Sequence, residues 1–91
     1  MGLFGPSKKT VSQEEFKDLL SLLYSKGFSK YEREEVEKIF RGDLYESSDY
    51  ERGIDAKEIE NAIQWMRKHM SNHNIPSQKV DLLEELLQKK L

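Results

Sequence analysis

The stretch that decides the fold is Gly53-Ile54-Asp55-Ala56-Lys57-Glu58-Ile59-Glu60-Asn61-Ala62-Ile63-Gln64-Trp65-Met66. Asp55 and Glu58 are spaced as a capping box, in which each side chain takes the other's backbone N–H and so satisfies donors that a helix start leaves open. Ile54 and Ile59 flank the cap as a hydrophobic staple. Behind them, Ile59, Ala62, Ile63, Met66 and Met70 recur at the three- and four-residue steps of one helical face. The pattern predicts an amphipathic helix that begins at the Asp55 cap and ends around Ser71 to Asn74, with Trp65 flanking its apolar stripe.

Two further capping boxes lie upstream. Ser12 with Glu15 starts a helix whose face is Phe16, Leu19, Leu20 and Leu23, with Val11 as the staple and Gly27 as the stop. Ser29 with Glu32 starts a second helix, striped by Val36, Ile39 and Phe40 and expected to end at Gly42. Downstream, Pro76-Ser77 opens a last helix with Val80, Leu83, Leu87 and Leu91 on one face; Leu82 and Leu86 fall well off that face. No segment carries sustained strand alternation. The fold expected is all-α, with four short amphipathic helices in one small orthogonal array or bundle. Residues 1–10 read as a tail and 11–91 as a single four-helix domain.

Composition narrows the function classes. The 91 residues hold 15 basic and 17 acidic side chains, a net charge of −2, so nothing pulls the chain as a whole toward nucleic acid or an anionic membrane. There is no cysteine, which removes disulfides, thiolate metal sites and cysteine nucleophiles. No apolar run approaches the ~20 residues of a membrane span. The N-terminus has neither the charged nor the apolar region of a secretory signal, and Pro6 stands where N-myristoylation wants Ser or Thr. These features point to the cytoplasm. They also argue against an enzyme, since no phosphate-cradling glycine loop and no spaced nucleophile, histidine and carboxylate are present.

The long connection 42–54, Gly-Asp-Leu-Tyr-Glu-Ser-Ser-Asp-Tyr-Glu-Arg-Gly-Ile, is polar and acidic, and connections of this length are commonly functional. It runs into Gly53-Ile54-Asp55-Ala56-Lys57-Glu58, which resembles the second half of an EF-hand calcium loop. Residues from about 30 to 68 thus resemble a degenerate EF-hand-like helix–loop–helix. The resemblance implies that Ile54 pairs with a partner loop, that Glu58 gives calcium two oxygens, and that Asp49, Glu51 and Asp55 lie among the ligands. The loop departs from that family at Ser47, where Asp belongs, and at Arg52, where glycine belongs, with Gly53 one place late. Read without the resemblance, Asp55 and Glu58 simply cap a helix. No cofactor is expected from the residues, calcium being the one that the resemblance would add.

Three other groups of residues are candidates for function. His69 and His73 are spaced to share one helical face, as metal ligands can be, or to sit as solvated cations in a last helical turn. The first two helices with their glycine turn have the outline of a helix-turn-helix, but Asp55, Glu58 and Glu60 at the start of the next helix would repel phosphate, so nucleic acid is disfavoured. Trp65, Leu82, Leu86, Tyr45 and Tyr50 have no obvious slot in the helical stripes, and aromatic anchors with off-stripe leucines suit an interface. The function expected is therefore a non-enzymatic protein–protein interaction module, binding another protein or a second copy of itself. An EF-hand-like calcium- or metal-responsive domain stands next, and a helix-turn-helix DNA-binding protein third.

Overall fold

All three capping boxes form. Ser12 Oγ accepts the Glu15 N–H at 3.1 Å and Glu15 Oε1 accepts the Ser12 N–H at 2.9 Å. The Ser29–Glu32 pair closes at 3.1 and 2.8 Å, and the Asp55–Glu58 pair at 2.8 and 3.0 Å. The computed structural model describes residues 10–45 and 53–91. In chain order its elements are β1 (Thr10–Val11), α1 (Gln13–Ser25), α2 (Lys30–Leu44), β2 (Ile54–Asp55), α3 (Ala56–Lys68), α4 (Met70–His73) and α5 (Ser77–Lys89).

The chain is mostly helical, as expected, but it differs from the four-helix expectation in three ways. First, α2 runs through Gly42 to Leu44. A mid-helix glycine costs about 1 kcal/mol, and burying Leu44 at 2% exposure outweighs it. Second, α3 stops at Lys68, where the His69 N–H turns back to Trp65 O and Met66 O, and a separate single turn, α4, follows. Third, the described residues include a small antiparallel sheet, with Thr10 opposite Asp55 and Val11 opposite Ile54. Two-residue strands are too short to leave an alternating pattern. Gly53 is required beside them: its φ is +104°, and a β-carbon there would lie 2.9 Å from the Thr10 side chain.

The strand pairing joins two halves of the same design. Val11, Ser12, Glu15, Phe16, Leu20 and Leu23 have as counterparts Ile54, Asp55, Glu58, Ile59, Ile63 and Met66, each half passing from strand through capping box into helix. After the helix each half makes a left-handed turn, at Gly27 (φ 96°) or Asn74 (φ 57°), followed by a buried apolar residue, Phe28 or Ile75. Along Lys30–Leu44 and Ser77–Leu91 the covered and exposed positions then coincide throughout. α4 is one helical turn present only in the second half.

The repeat fits an approximate two-fold axis between the halves. Residues on such an axis meet their own counterparts, and two such meetings mark it. Val11 lies opposite Ile54 in the sheet. Glu32 Oε1 accepts from its counterpart Lys79 Nζ at 2.8 Å. Lys79 Nζ also donates to Gly27 O at 2.9 Å and lies 5.5 Å from the Phe28 ring centroid. One apolar cluster runs through both halves, and Leu19, Val36, Phe40, Ile59 and Leu83 are fully buried in it.

Burial works to raise the Glu32 carboxyl, but the Lys79 hydrogen bond, the Ser29 N–H and the Lys79 charge outweigh it and hold it below its ordinary 4.5. A carboxyl depressed in the fold adds stability above its unfolded value and loses it as pH falls through the folded one. Lys79→Met is therefore expected to cost about 1–2 kcal/mol at neutral pH, Lys79 being partly exposed. The gap from the parent should narrow as pH falls below about 4.5, leaving the part that the bond to Gly27 O contributes. Urea denaturation of both proteins at neutral and acid pH measures it, and a gap independent of pH would refute the assignment.

Candidate functional site

Where α2 and α3 lie side by side they leave an open groove of about 460 Å³, lined by Ile39, Asp43, Glu58, Asn61, Ala62 and Trp65. Glu58, Asn61, Ala62 and Trp65 share one face of α3 by their spacing, and Ile39 and Asp43 share one face of α2. The groove is apolar at the Trp65 end and acidic at the Glu58 and Asp43 end. Trp65 is 40% exposed, although the core beneath it is closed.

Trp65 is held from behind by both histidines. Its ring stacks on His69 at 4.8 Å and 20°, and the His73 ring lies 6.1 Å away. His69 Nδ1 is 2.9 Å from Trp65 O. His73 is 1% exposed, and its Nδ1 accepts the Ile75 N–H at 3.0 Å. The proton must then sit on Nε2, which donates to Met66 O at 2.8 Å. With both His73 nitrogens in use, the pair does not converge on a metal ion; His73 instead ties α4 to α3 and braces the indole. The helical turn that carries His73 is the one the first half lacks.

The calcium reading turns on Asp55 and Glu58, since Asp49 and Glu51 lie outside the described residues. Asp55 Oδ1 and Glu58 Oε1 are engaged with each other's backbone N–H, so Glu58 in this arrangement does not offer the two free oxygens calcium takes from such a residue. Among the described residues no group of three His, Asp or Glu could hold a metal ion.

The expected interface residues separate. Trp65 forms the groove wall. Tyr45 is exposed at the end of α2, outside the groove's lining, and Tyr50 lies outside the described residues. Leu86 is a core residue at 8% exposure, and Leu82 packs half-buried against the same core. These two leucines serve folding because α5 packs on α3 and on α1, so the helix buries a wider arc than one stripe. At the other end of α3, Arg67 donates to Asp81 Oδ1 at 2.7 Å and Glu84 Oε1 at 3.0 Å on α5, and those hydrogen bonds raise its already high pKa. That cation is paired with two carboxylates of α5 while its side chain stays partly exposed.

Sequence reading missed the groove because Ala62 counted only as a member of the core stripe. The signal was its small size at a position whose counterpart is Leu19. Comparison with protein-family models, curated proteins and solved structures gives no match, so the site is read from its own residues.

Two outcomes are expected. His73→Ala should destabilise the fold by about 2–4 kcal/mol, since it strands Ile75 N–H and Met66 O and leaves a void. It should also alter Trp65 emission under native conditions; an unchanged spectrum would break the link between His73 and the indole. Calcium added to chelator-treated protein should leave the amide resonances of Gly53, Ile54 and Glu58 in place. A saturable shift there would promote the calcium reading.

Proposed function

We propose that the chain is a non-enzymatic protein–protein interaction module that docks a partner segment in the groove between α2 and α3. The observation that carries this reading is Trp65, braced by two histidines yet 40% exposed on the wall of an open groove. A rigid, half-exposed tryptophan gains a large apolar contact on binding and loses little side-chain entropy, which is why tryptophan anchors many interfaces. The described lining supports binding rather than chemistry: it comprises two aliphatic side chains, an indole, an amide and two carboxylates, with no nucleophile beside a base among the described residues.

A calcium-responsive domain is the second reading. The pairing of Ile54 with Val11 favours it, being the contact that the EF-hand resemblance implies for that isoleucine. The mutual engagement of Asp55 and Glu58 weighs against it.

Trp65 is the only tryptophan in the chain, so its emission reports on the site without a label. A displayed library of random short peptides should yield binders that shift this emission to shorter wavelength. Trp65→Ala should weaken them by at least ~10-fold while the helical circular-dichroism signal stays unchanged. A library that yields no binder, or binders indifferent to Trp65→Ala, would overturn the docking reading.

A further inference from the structure

Comparison of the two halves locates the unfilled part of the groove. The repeat sets Ala62 on α3 and Ile39 on α2 against Leu19 on α1 and Leu86 on α5. Leu19 is fully covered and Leu86 is 8% exposed, so on the α1–α5 side the chain's own leucines close the surface. At the same positions of the α2–α3 side the described residues supply an alanine and a half-buried isoleucine, with the half-exposed Trp65 beside them. The α2–α3 groove thus has room for an apolar side chain where its counterpart is filled.

The chain meets this groove from its own N-terminal side. Thr10, the first described residue, pairs with Asp55 at the cap of α3. A β-carbon on Gly53 would lie 2.9 Å from the Thr10 side chain, and the Gly53 N–H donates to Asp43 O at 3.0 Å. The segment 1–9 therefore attaches beside the end of the groove that Asp43 and Glu58 line. It carries an apolar pair, Leu3-Phe4, set between Gly2 and Gly5-Pro6, for which the helical stripes have no slot. Phe4 precedes Thr10 by six residues, an extended reach of about 20 Å. Ala62 and Trp65 stand about 10 and 15 Å along α3 from Asp55. Leu3 and Phe4 are thus within reach of the unfilled positions, and their counterparts on the α1–α5 side offer no such room. A short tether holds its end at an effective concentration in the millimolar range, so even a weak apolar contact is populated.

Resting on the docking reading above, we propose that residues 1–9 of this chain are the resident occupant of the groove. Leu3 and Phe4 pack against Ile39, Ala62 and Trp65, and a partner segment binds by displacing them. The partner's apparent affinity is then lowered by the fraction of the time that the groove is already taken.

The test uses the full chain. It has no cysteine, so Gly2→Cys carries a single nitroxide label. The label should weaken the indole N–H resonance of Trp65 and the amide resonance of Ala62, and chemical reduction of the nitroxide should restore both. Leu3→Ser together with Phe4→Ser, in the same labelled chain, should also restore them. So should Ala62→Leu, which gives the groove the residue its counterpart has. Residues 46–52 attach at the same end of the groove, but a label at position 2 reports on the N-terminal segment alone. Labelled chain mixed with unlabelled, isotope-enriched chain should leave the enriched copy's resonances unchanged. Peptides selected from the displayed library should bind the Leu3→Ser/Phe4→Ser chain about 2–10-fold more tightly than the parent, as for a groove occupied roughly one-half to nine-tenths of the time.

Weakening that persists in the Leu3→Ser/Phe4→Ser chain would mean that position 2 is merely near the groove, and would overturn the proposal. Weakening passed to the enriched copy in the mixture would seat the segment on a second copy and overturn it as well. Full-strength Trp65 and Ala62 resonances in the labelled parent would overturn it too, while Trp65-dependent library binders would then leave the docking reading standing. A library that yields no Trp65-dependent binder, even with the Leu3→Ser/Phe4→Ser chain, would overturn the docking reading and the displacement proposed here.

Discussion

Everything else in the molecule hangs on the two-residue pairing of Val11 with Ile54. It is the one place where the described halves share backbone hydrogen bonds in a sheet, and each strand passes directly into a capping box. The pairing therefore sets the starting points of α1 and α3 together, and the caps set their directions. Gly53 allows the strands to approach, because a side chain at that position would collide with Thr10. Glu32 and Lys79 add a second meeting of counterparts, an ion pair at 2.8 Å. An apolar contact at one end and a charged contact at the other hold two similar halves in a single relative orientation.

The candidate site lies where the halves stop being alike. Ala62 stands for Leu19, Asp43 for Lys90, and α4 adds the turn that places His73 behind Trp65. Two of the changes work against simple burial: the first opens space, and the third places histidine rings against a large indole that stays half in water. Such departures from local economy are where function tends to reside in a small fold.

The helices were legible because their signals are local. Three boxes and their staples need only four to six consecutive residues, and all three formed as read. What failed was decided at a distance. Gly42 is a reasonable stop until Leu44 is seen to be buried. Leu86 belongs to the core because α5 meets two helices, which one helix's pattern does not reveal. The repeat was hidden by conservative exchanges such as Val11 for Ile54 and Phe16 for Ile59, and by the inserted turn that breaks constant spacing. Trp65 was singled out correctly as a residue without a core slot, but its groove depends on a neighbour that reads as ordinary.

The two-fold relation also bears on connectivity. The backbone joins the halves once, from Tyr45 to Gly53, with the Gly53 N–H bonded to Asp43 O at 3.0 Å. α1 packs against α5 as α2 packs against α3, so the halves meet along two helix pairs while the covalent chain joins them once. A circularly permuted chain, joined from Leu91 to Thr10 and opened between Tyr45 and Gly53, would trace the same set of helices and keep the groove.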